Sequence, residues 1–180
     1  KELTSDFKTI RLEKIETHPN QEEDFSFENR FKNIAVNDFN NNSFDVLPSN
    51  KKIPKYTLVE FWGTWCAPCL ELTPIIKDFN TKYNDIVDVV SIAFDDDIKG
   101  SQLYVERNNL HWKHGIVLRT EKANSIISKW NITIFPTLLL FDETNQFIYG
   151  GNSENALTKI DSIIQKAIPK DIDKFQVSNY

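Results

Sequence analysis

Three short apolar runs in the middle of the chain predict the strands of a central sheet. The runs are Tyr56–Trp62, Ile86–Phe94 and Thr137–Phe141, and each is bounded by polar or turn-forming residues. The second run is nearly continuous in apolar and β-branched residues, which is typical of a central strand covered on both faces. The pattern therefore predicts an α/β protein in which helices cover both sides of a sheet.

Segments with apolar residues at helical spacing separate these strands. The first segment starts near Cys66 and has five apolar residues that predict one buried face: Leu70, Ile75, Ile76, Phe79 and Tyr83. Pro74 lies inside this segment and is expected to kink the helix. Further helices are predicted at Lys99–Asn109, at Glu121–Trp130, and after a capping residue at Asn152 or Ser153.

Weaker patterns predict additional strands at the edges of the sheet. Alternating residues at 31–36, a turn at Asn40–Asn42 and the segment Ser43–Leu47 predict a hairpin. Short strands are predicted at Gly115–Leu118 and Gln146–Tyr149, with Gly150–Gly151 expected to break the chain after the second of them. The organisation expected is a partly ordered extension at residues 1–30, one domain at residues 31–168 and a tail at residues 169–180.

Composition excludes several classes of protein. The chain has 180 residues, of which 40% are hydrophobic, and this suffices for one domain with a substantial core. Its net charge of -5 argues against nucleic acid as a partner. There is no run of about 20 apolar residues that would span a bilayer, and the first thirty residues are too charged for a secretion signal. Because the sequence begins with Lys1 and contains no methionine, we expect a processed or trimmed product.

The two cysteines of the chain, Cys66 and Cys69, stand three positions apart at the start of the first predicted helix. A helix N-terminus favours a thiolate and is expected to lower the pKa of Cys66 below the ~8.5 of free cysteine. Cys69 lies one turn further on, where it can attack a mixed disulfide formed at Cys66. The spacing therefore indicates a redox-active dithiol with Cys66 as nucleophile and Cys69 as resolving thiol.

The same spacing also supplies half of a zinc site. A structural zinc site normally has four ligands, and the chain offers three histidines, His18, His111 and His114. A site with two cysteines and two histidines is therefore open by ligand count. The residues that flank the cysteines favour the redox interpretation, because they match a strand-to-helix turn.

The flanking residues resemble the active-site strand and turn of the thioredoxin superfamily. The run from residue 58 to residue 69, Leu-Val-Glu-Phe-Trp-Gly-Thr-Trp-Cys-Ala-Pro-Cys, is similar to that motif. Pro74 stands where the family kinks the active-site helix, and Phe135 and Pro136 stand where it places a cis-proline that faces the dithiol. Glu60 matches a buried carboxylate beneath the resolving cysteine. We therefore expect a cis peptide bond before Pro136.

Within the superfamily the chain resembles the bacterial extracytoplasmic branch that includes TlpA-like and ResA-like thiol-disulfide oxidoreductases. The resemblance implies a thioredoxin-like fold, a central mixed β-sheet flanked by helices, with an N-terminal β-hairpin and an inserted segment between core strands. The chain departs from this branch at Leu72, where members often have an acidic residue, and at Glu60, where they often have an apolar or amide residue. The nearest carboxylate to the first position is Glu71, which we interpret as a solvated helix residue.

The resemblance also implies roles for individual residues. Glu60, buried and with a raised pKa, is expected to exchange a proton with Cys69. The residues expected to contact a substrate are Trp65, Ala67, Pro68, Phe135 and Pro136. For Glu60 a surface or salt-bridged carboxylate remains the alternative, and Asp95–Asp97 is interpreted as a solvated strand end.

The function implied is that of a protein-disulfide reductase of the bacterial periplasm or cell envelope, with an anchor or signal upstream of Lys1 as one expectation. We expect protein thiols and disulfides as partners, a membrane thiol carrier as electron donor, a monomer, and no metal or cofactor besides the Cys66–Cys69 disulfide. The alternatives are a thioredoxin-fold binding module and a thiol peroxidase. The chain lacks the Pro-x-x-x-Thr-x-x-Cys pattern of thiol peroxidases, because Val59 and Gly63 stand at the proline and threonine positions.

Overall fold

The computed structural model describes residue 31, residues 34–47 and residues 56–168. The expected extension at residues 1–30 and tail at residues 169–180 lie outside the described residues.

Seven strands of the described part form one mixed sheet in the order β2-β1-β5-β4-β3-β6-β7. The strands are β1 Ala35–Asn37, β2 Ser43–Asp45, β3 Tyr56–Trp62, β4 Val87–Phe94, β5 Lys113–Val117, β6 Thr137–Phe141 and β7 Phe147–Gly151. The central strands β3, β4 and β5 are parallel, and β1, β2, β6 and β7 add to them in antiparallel pairings. This confirms the mixed sheet and its N-terminal hairpin.

Helices connect the strands. They are α1 Ala67–Tyr83, α2 Ile98–Arg107, α3 Ile126–Lys129 and α4 Glu154–Ala167, with a 3-10 helix at Arg119–Asn124. The prediction of one helix over Glu121–Trp130 was wrong. Ser125 has extended backbone angles and its hydroxyl donates to the Lys122 carbonyl, so this residue separates the 3-10 helix from α3.

The buried face of α1 includes Ile76, Phe79 and Tyr83, as predicted, but differs from the prediction in the first half of the helix. Its buried residues are Cys69, Leu72, Thr73, Ile76, Phe79 and Tyr83. Leu70 and Ile75 are only half-buried.

Pro74 lies inside the helix and has no N–H for the Leu70 carbonyl. The Tyr104 hydroxyl of α2 lies 3.4 Å from that carbonyl oxygen, so a neighbouring helix supplies a donor there.

Gly150 and Gly151 do not break the chain, contrary to the prediction. They form the end of β7, where they pair with Leu139 and Leu138. A Cβ on Gly150 would lie 2.8 Å from the Leu139 Cδ2, so the glycine permits close strand packing. Ser153 does precede α4, but its φ is 89° and its side chain makes no capping hydrogen bond among the described residues.

The alternation of side chains along β3 divides the core into two sides. Val59 and Phe61 pack on one face with Trp130 and other aromatic residues. Leu58 packs on the opposite face, against α1 and α4, and Trp62 packs beside the cysteines on α1. Glu60 stands between Leu58 and Trp62 on β3, so its carboxyl enters the interior on the α1 side of the sheet.

None of the described helices is long and apolar enough to cross a bilayer.

Candidate active site

A disulfide joins Cys66 and Cys69 at the beginning of α1, with their Cα atoms 5.3 Å apart. Cys66 is the residue that precedes the helix, and Ala67 and Pro68 form its first two positions. Proline is tolerated there because the first helical N–H groups have no partner within the helix. The Cys69 amide donates to the Cys66 carbonyl at 2.9 Å, which closes the turn between the two sulfurs. In the reduced protein this helix terminus would stabilise a thiolate at Cys66.

The two cysteines differ in their access to solvent. Cys66 is 5% exposed, whereas Cys69 is 0% exposed and packs beneath it with Trp62 and Ala93. Trp65, immediately before Cys66, is 47% exposed. Ala67 and Pro68 are also exposed. A molecule that approaches this surface would therefore reach the sulfur of Cys66 before that of Cys69.

The turn that leads into Cys66 is held by the end of the neighbouring strand β4. The Asp95 carboxylate accepts hydrogen bonds from the Thr64 amide at 2.8 Å and from the Thr64 hydroxyl at 2.6 Å. The Trp65 Nε1 donates to the Phe94 carbonyl at 2.8 Å. Because Trp62 pairs with Ala93 in the parallel ladder, the chain leaves β3 beside the chain that leaves β4. The register of the sheet thus brings Asp95 to the active-site turn.

The interpretation of residues 95–97 as a solvated strand end holds for the exposed Asp96 and Asp97 but was wrong for Asp95. Asp95 is 6% exposed. Burial by itself raises the pKa of Asp95, but the hydrogen bonds from Thr64 outweigh it and the pKa is lowered from its ordinary value. Asp97 accepts from the Gly100 amide at the start of α2, and the exposed Asp96 accepts from the Arg119 amide. Each carboxylate therefore fixes a backbone segment by a hydrogen bond. The sequence could have indicated the role of Asp95, because this residue directly follows β4, which is parallel to β3.

Removal of the Asp95 carboxylate is expected to destabilise the active-site turn. Asp95→Ala leaves two donors of Thr64 without their acceptor and is expected to lower the free energy of unfolding by about 2 to 3 kcal/mol. Thr64→Val removes the hydroxyl donor alone and should cost less. Urea unfolding of both single variants and the double variant measures the coupling, expected at about 1 to 2 kcal/mol. Strictly additive effects would contradict a direct interaction.

The predicted proline loop lies beside this turn. The Phe135–Pro136 peptide bond is cis. The Phe135 ring stacks on Phe94 at 5.5 Å and meets the Trp65 ring edge-on at 5.3 Å, both measured between centroids. Phe135 also packs against the apolar cluster that contains Cys66 and Cys69. The structure therefore brings Trp65, Phe135 and the cysteines together, while Pro136 itself is buried.

Arg119 was not identified from the sequence as part of this surface. Its guanidinium lies over the Trp65 ring, 5.3 Å from the ring centroid. The contact arises because the exposed 3-10 helix at Arg119–Asn124 begins directly after β5. It places a positive charge beside the aromatic residue that precedes Cys66.

Glu60 is buried, which excludes the alternative of a surface carboxylate. It is 5% exposed, and its Oε2 accepts a hydrogen bond of 2.5 Å from the Ser91 hydroxyl on β4. Burial raises the pKa of Glu60 from 4.5 to about 7, although the Ser91 hydrogen bond acts in the opposite direction. Glu60 can therefore gain or lose a proton near neutral pH. Glu71 is exposed on α1, as predicted, and Leu72 is buried.

The described residues give no support to a zinc site. No group of three or more His, Cys, Asp or Glu residues within them could hold a metal ion. His111 is exposed, and His114 stacks on Trp112 with ring centroids 5.4 Å apart. His18 lies outside the described residues.

Comparison with known proteins finds a family model and curated relatives that match this chain. A family model described as thioredoxin-like matches residues 54–148. The chain is 31% identical over 102 residues to the chloroplastic thioredoxin Y2 of Arabidopsis thaliana, which covers 57% of this chain and 44% of that protein. It is 24% identical over 116 residues to the thiol-disulfide oxidoreductase ResA of Bacillus thuringiensis subsp. konkukian, with 64% and 65% coverage. The chain thus spans less than two thirds of each of these relatives.

Solved structures show the same fold. A thiol-disulfide oxidoreductase from Bacteroides fragilis superimposes with a TM-score of 0.61 and 20% identity, over 73% of this chain and 96% of that chain. A secreted disulfide oxidoreductase from Mycobacterium tuberculosis superimposes with a TM-score of 0.61 and 17% identity, over 77% and 98%. At this level of identity the similarity establishes the fold and leaves the activity to be argued from the site.

Proposed function

Because the chain belongs to the thioredoxin-like family, we propose that it is a thiol-disulfide oxidoreductase that exchanges its Cys66–Cys69 pair with protein substrates. The observation that carries this proposal is the asymmetry of the disulfide. Cys66, which directly precedes the helix, keeps a small exposed fraction of 5%, and Cys69, one turn further along the same helix, is fully enclosed. This is the arrangement that a nucleophile and a resolving thiol require.

The proposed reaction balances in two steps. The Cys66 thiolate attacks one sulfur of a partner disulfide and forms a mixed disulfide, and the other partner sulfur leaves as a thiolate that takes up a proton. The Cys69 thiol then loses its proton, attacks the sulfur of Cys66 and releases the second partner thiolate. Two electrons pass from the cysteine pair to the partner, and the Cys66–Cys69 disulfide remains.

Glu60 is the proposed acceptor of the Cys69 proton. Both residues are buried on the α1 side of the sheet. Glu60 stands two positions before Trp62 on β3, and Cys69 packs with Trp62 in one apolar cluster. A carboxylate whose pKa is raised to about 7 is well matched to proton transfer near neutral pH. In the reverse direction the protonated Glu60 would return the proton to the Cys69 thiolate.

The surface around Cys66 supports an extended partner segment. Trp65 and Ile134 are both exposed, and Phe135 lies between Trp65 and the interior. We propose that Trp65, Ala67, Pro68, Phe135 and Pro136 contact the partner. Apolar rings would bind the side chains that flank its disulfide, while the backbone at Phe135 is the proposed site of strand-like pairing.

The proposed cellular role is reduction of protein disulfides in the bacterial cell envelope. This proposal follows from the resemblance to the extracytoplasmic branch that includes ResA, which is among the relatives of this chain. One structural neighbour is described as secreted. We further propose a monomer, and a membrane thiol carrier that reduces the disulfide after each cycle. The reaction requires no bound cofactor, since the sulfur pair itself carries the two electrons.

Reduction of insulin disulfides by dithiothreitol tests the proposed activity. The protein is expected to accelerate the precipitation of insulin chains several-fold over dithiothreitol alone. A sample whose reduced cysteines have been alkylated is the matched control and should give the uncatalysed rate. A non-catalytic binding module would give no acceleration in either sample. Rapid consumption of hydrogen peroxide by the reduced protein would instead favour a thiol peroxidase.

The reduction potential tests the direction of transfer. Equilibration with glutathione buffers, followed by alkylation and mass spectrometry, gives the fraction of protein in the disulfide form. A potential near the -270 mV of thioredoxin supports a reductant, whereas one near about -120 mV would identify an oxidant.

A further inference from the structure

A chain of two hydrogen bonds connects Glu60 to the edge of the domain. The Ser91 hydroxyl of β4 donates to the Glu60 Oε2 at 2.5 Å. The same hydroxyl oxygen accepts a hydrogen bond of 2.8 Å from the Nε1 of Trp112, which stands just before β5. Ser91 is almost completely buried, and Trp112 is half-buried and lines an open surface cavity together with Val105 and His114.

The hydrogen bond between Trp112 and Ser91 has a fixed direction. An indole N–H can only donate, so the Ser91 oxygen must be its acceptor. The hydroxyl of Ser91 has one proton, and with Trp112 in place that proton points to Glu60. A hydrogen bond to a buried carboxylate is strong because it is charge-assisted, and a second donor behind it polarises the hydroxyl further.

We propose that Ser91 and Trp112 are positioning residues that orient the Glu60 carboxyl and set the pH at which it exchanges a proton during disulfide exchange. The catalytic part of this inference rests on the proposed function. The two hydrogen bonds do not depend on it, because they are present in the disulfide form of the protein. The two residues act through Glu60 and need not touch a substrate.

Among the groups that surround Glu60, the hydrogen bonds through Ser91 and Trp112 are the main local influence on its protonation. On β6 its register partner is the apolar Leu138, and on β4 it is Ser91 itself. The buried face of α1 contributes the polar residues Cys69 and Thr73, and Cys69 cannot ionise while the disulfide is formed. Thr73 is hydrogen-bonded to the Tyr104 hydroxyl of α2 at 3.0 Å.

His114 is the remaining titratable group in the same row of the sheet. It pairs with Ser91 across β4 and β5. Burial lowers the pKa of His114 to about 4, so the imidazole is neutral over the range in which Glu60 titrates. Lys113 and Asp88, which form a 3.5 Å ion pair, have partly solvent-exposed side chains. Their interaction with Glu60 is therefore screened by water and salt.

Nuclear magnetic resonance of 13C-labelled glutamate side chains in the disulfide form measures the Glu60 titration without a coupled thiol. The Glu60 signal is assigned by its loss in Glu60→Gln. Ser91→Ala is expected to move the Glu60 midpoint to higher pH by about one unit, because a donor to the ionised form is lost. Trp112→Phe should move it in the same direction by less, and it keeps the proposal testable if Ser91→Ala does not fold.

Two matched variants control for the loss of a buried polar group as such. Ser101→Ala removes a buried hydroxyl, and Trp130→Phe removes a buried indole N–H, and neither group has a hydrogen-bond partner among the described residues. Both variants are expected to leave the Glu60 midpoint unchanged. A midpoint that does not move in Ser91→Ala and Trp112→Phe, or that moves equally in the controls, would overturn the proposal.

The pH profile of insulin reduction links the titration to catalysis. In Ser91→Ala the rise in rate that accompanies ionisation of Glu60 should shift to higher pH with the midpoint, and Trp112→Phe should have no further effect on the profile in a Glu60→Gln background. A uniformly lower rate with an unshifted profile would indicate a merely structural role. Absence of turnover in the unmodified protein would refute the proposed function while the nuclear magnetic resonance result still decides on the hydrogen-bond chain.

Discussion

Serine in place of Cys66 is expected to abolish catalysed disulfide exchange, whereas serine in place of Cys69 is expected to leave the first attack intact and stop the second. Cys66 precedes the helix N-terminus and is the less enclosed of the two cysteines, so its sulfur is the atom that a partner disulfide is expected to meet first. A serine hydroxyl ionises far less readily than a thiol and forms no disulfide, so Cys66→Ser should reduce insulin at the uncatalysed rate.

Cys69→Ser is expected to accumulate a covalent mixed disulfide between Cys66 and the partner. In the unmodified protein the buried Cys69 thiol resolves this intermediate, and no other cysteine is present to replace it. Mass spectrometry under non-reducing conditions should show an increase equal to one partner chain, which dithiothreitol removes. Because a trapped intermediate remains attached, the same variant can capture the physiological partner from a cell-envelope extract.

The two variants are each other's control, since they make the same chemical change three residues apart. A mixed disulfide in Cys66→Ser but not in Cys69→Ser would reverse the assignment of nucleophile and resolving thiol. Full turnover in either variant would refute the exchange mechanism altogether.

Periodicity predicted those parts of the fold where one face or two faces of an element are apolar. Strands β3 and β6 have the bounds that the apolar runs indicate, because β6 is buried along its whole length and β3 everywhere except at Tyr56. Predictions failed where a single side chain, or the absence of one, decides the local backbone conformation. Ser125 interrupts a helical pattern with one side-chain hydrogen bond, and Gly150 joins a strand because a small residue fits against Leu139.

The candidate site was predictable where its residues are close in sequence or belong to a recognisable motif. Cys66 and Cys69 follow from spacing, and Trp65, Glu60 and Pro136 follow from the resemblance. Their supporting residues could not be found in this way. Asp95, Ser91 and Trp112 reach the site through strand register and the packing of one edge loop, and they lie between 21 and 31 residues from the groups they bind. The sequence records no local pattern for such contacts.

The buried carboxyl of Glu60 makes a second large effect measurable, this time on stability. Its pKa is about 7 in the folded protein and about 4.5 when it is solvated, so the folded state binds more protons between these values. The free energy of unfolding therefore falls as the pH rises through this window. By the conversion of 1.36 kcal/mol per pKa unit, the loss amounts to about 3 kcal/mol at about pH 8 and is absent at about pH 4.

Glu60→Gln removes this penalty because an amide stays neutral at every pH. Relative to the unmodified protein, the variant is therefore expected to gain about 3 kcal/mol in free energy of unfolding between about pH 4 and about pH 8. Urea unfolding of both proteins in the disulfide form measures the difference, and any constant cost of the new amide cancels between the two pH values. Glu71→Gln alters an exposed carboxylate on α1. Its free energy of unfolding should differ from that of the unmodified protein by less than about 0.5 kcal/mol. A difference for Glu60→Gln that is independent of pH would mean that Glu60 keeps an ordinary pKa, and Glu60 would then be unsuited to accept the Cys69 proton.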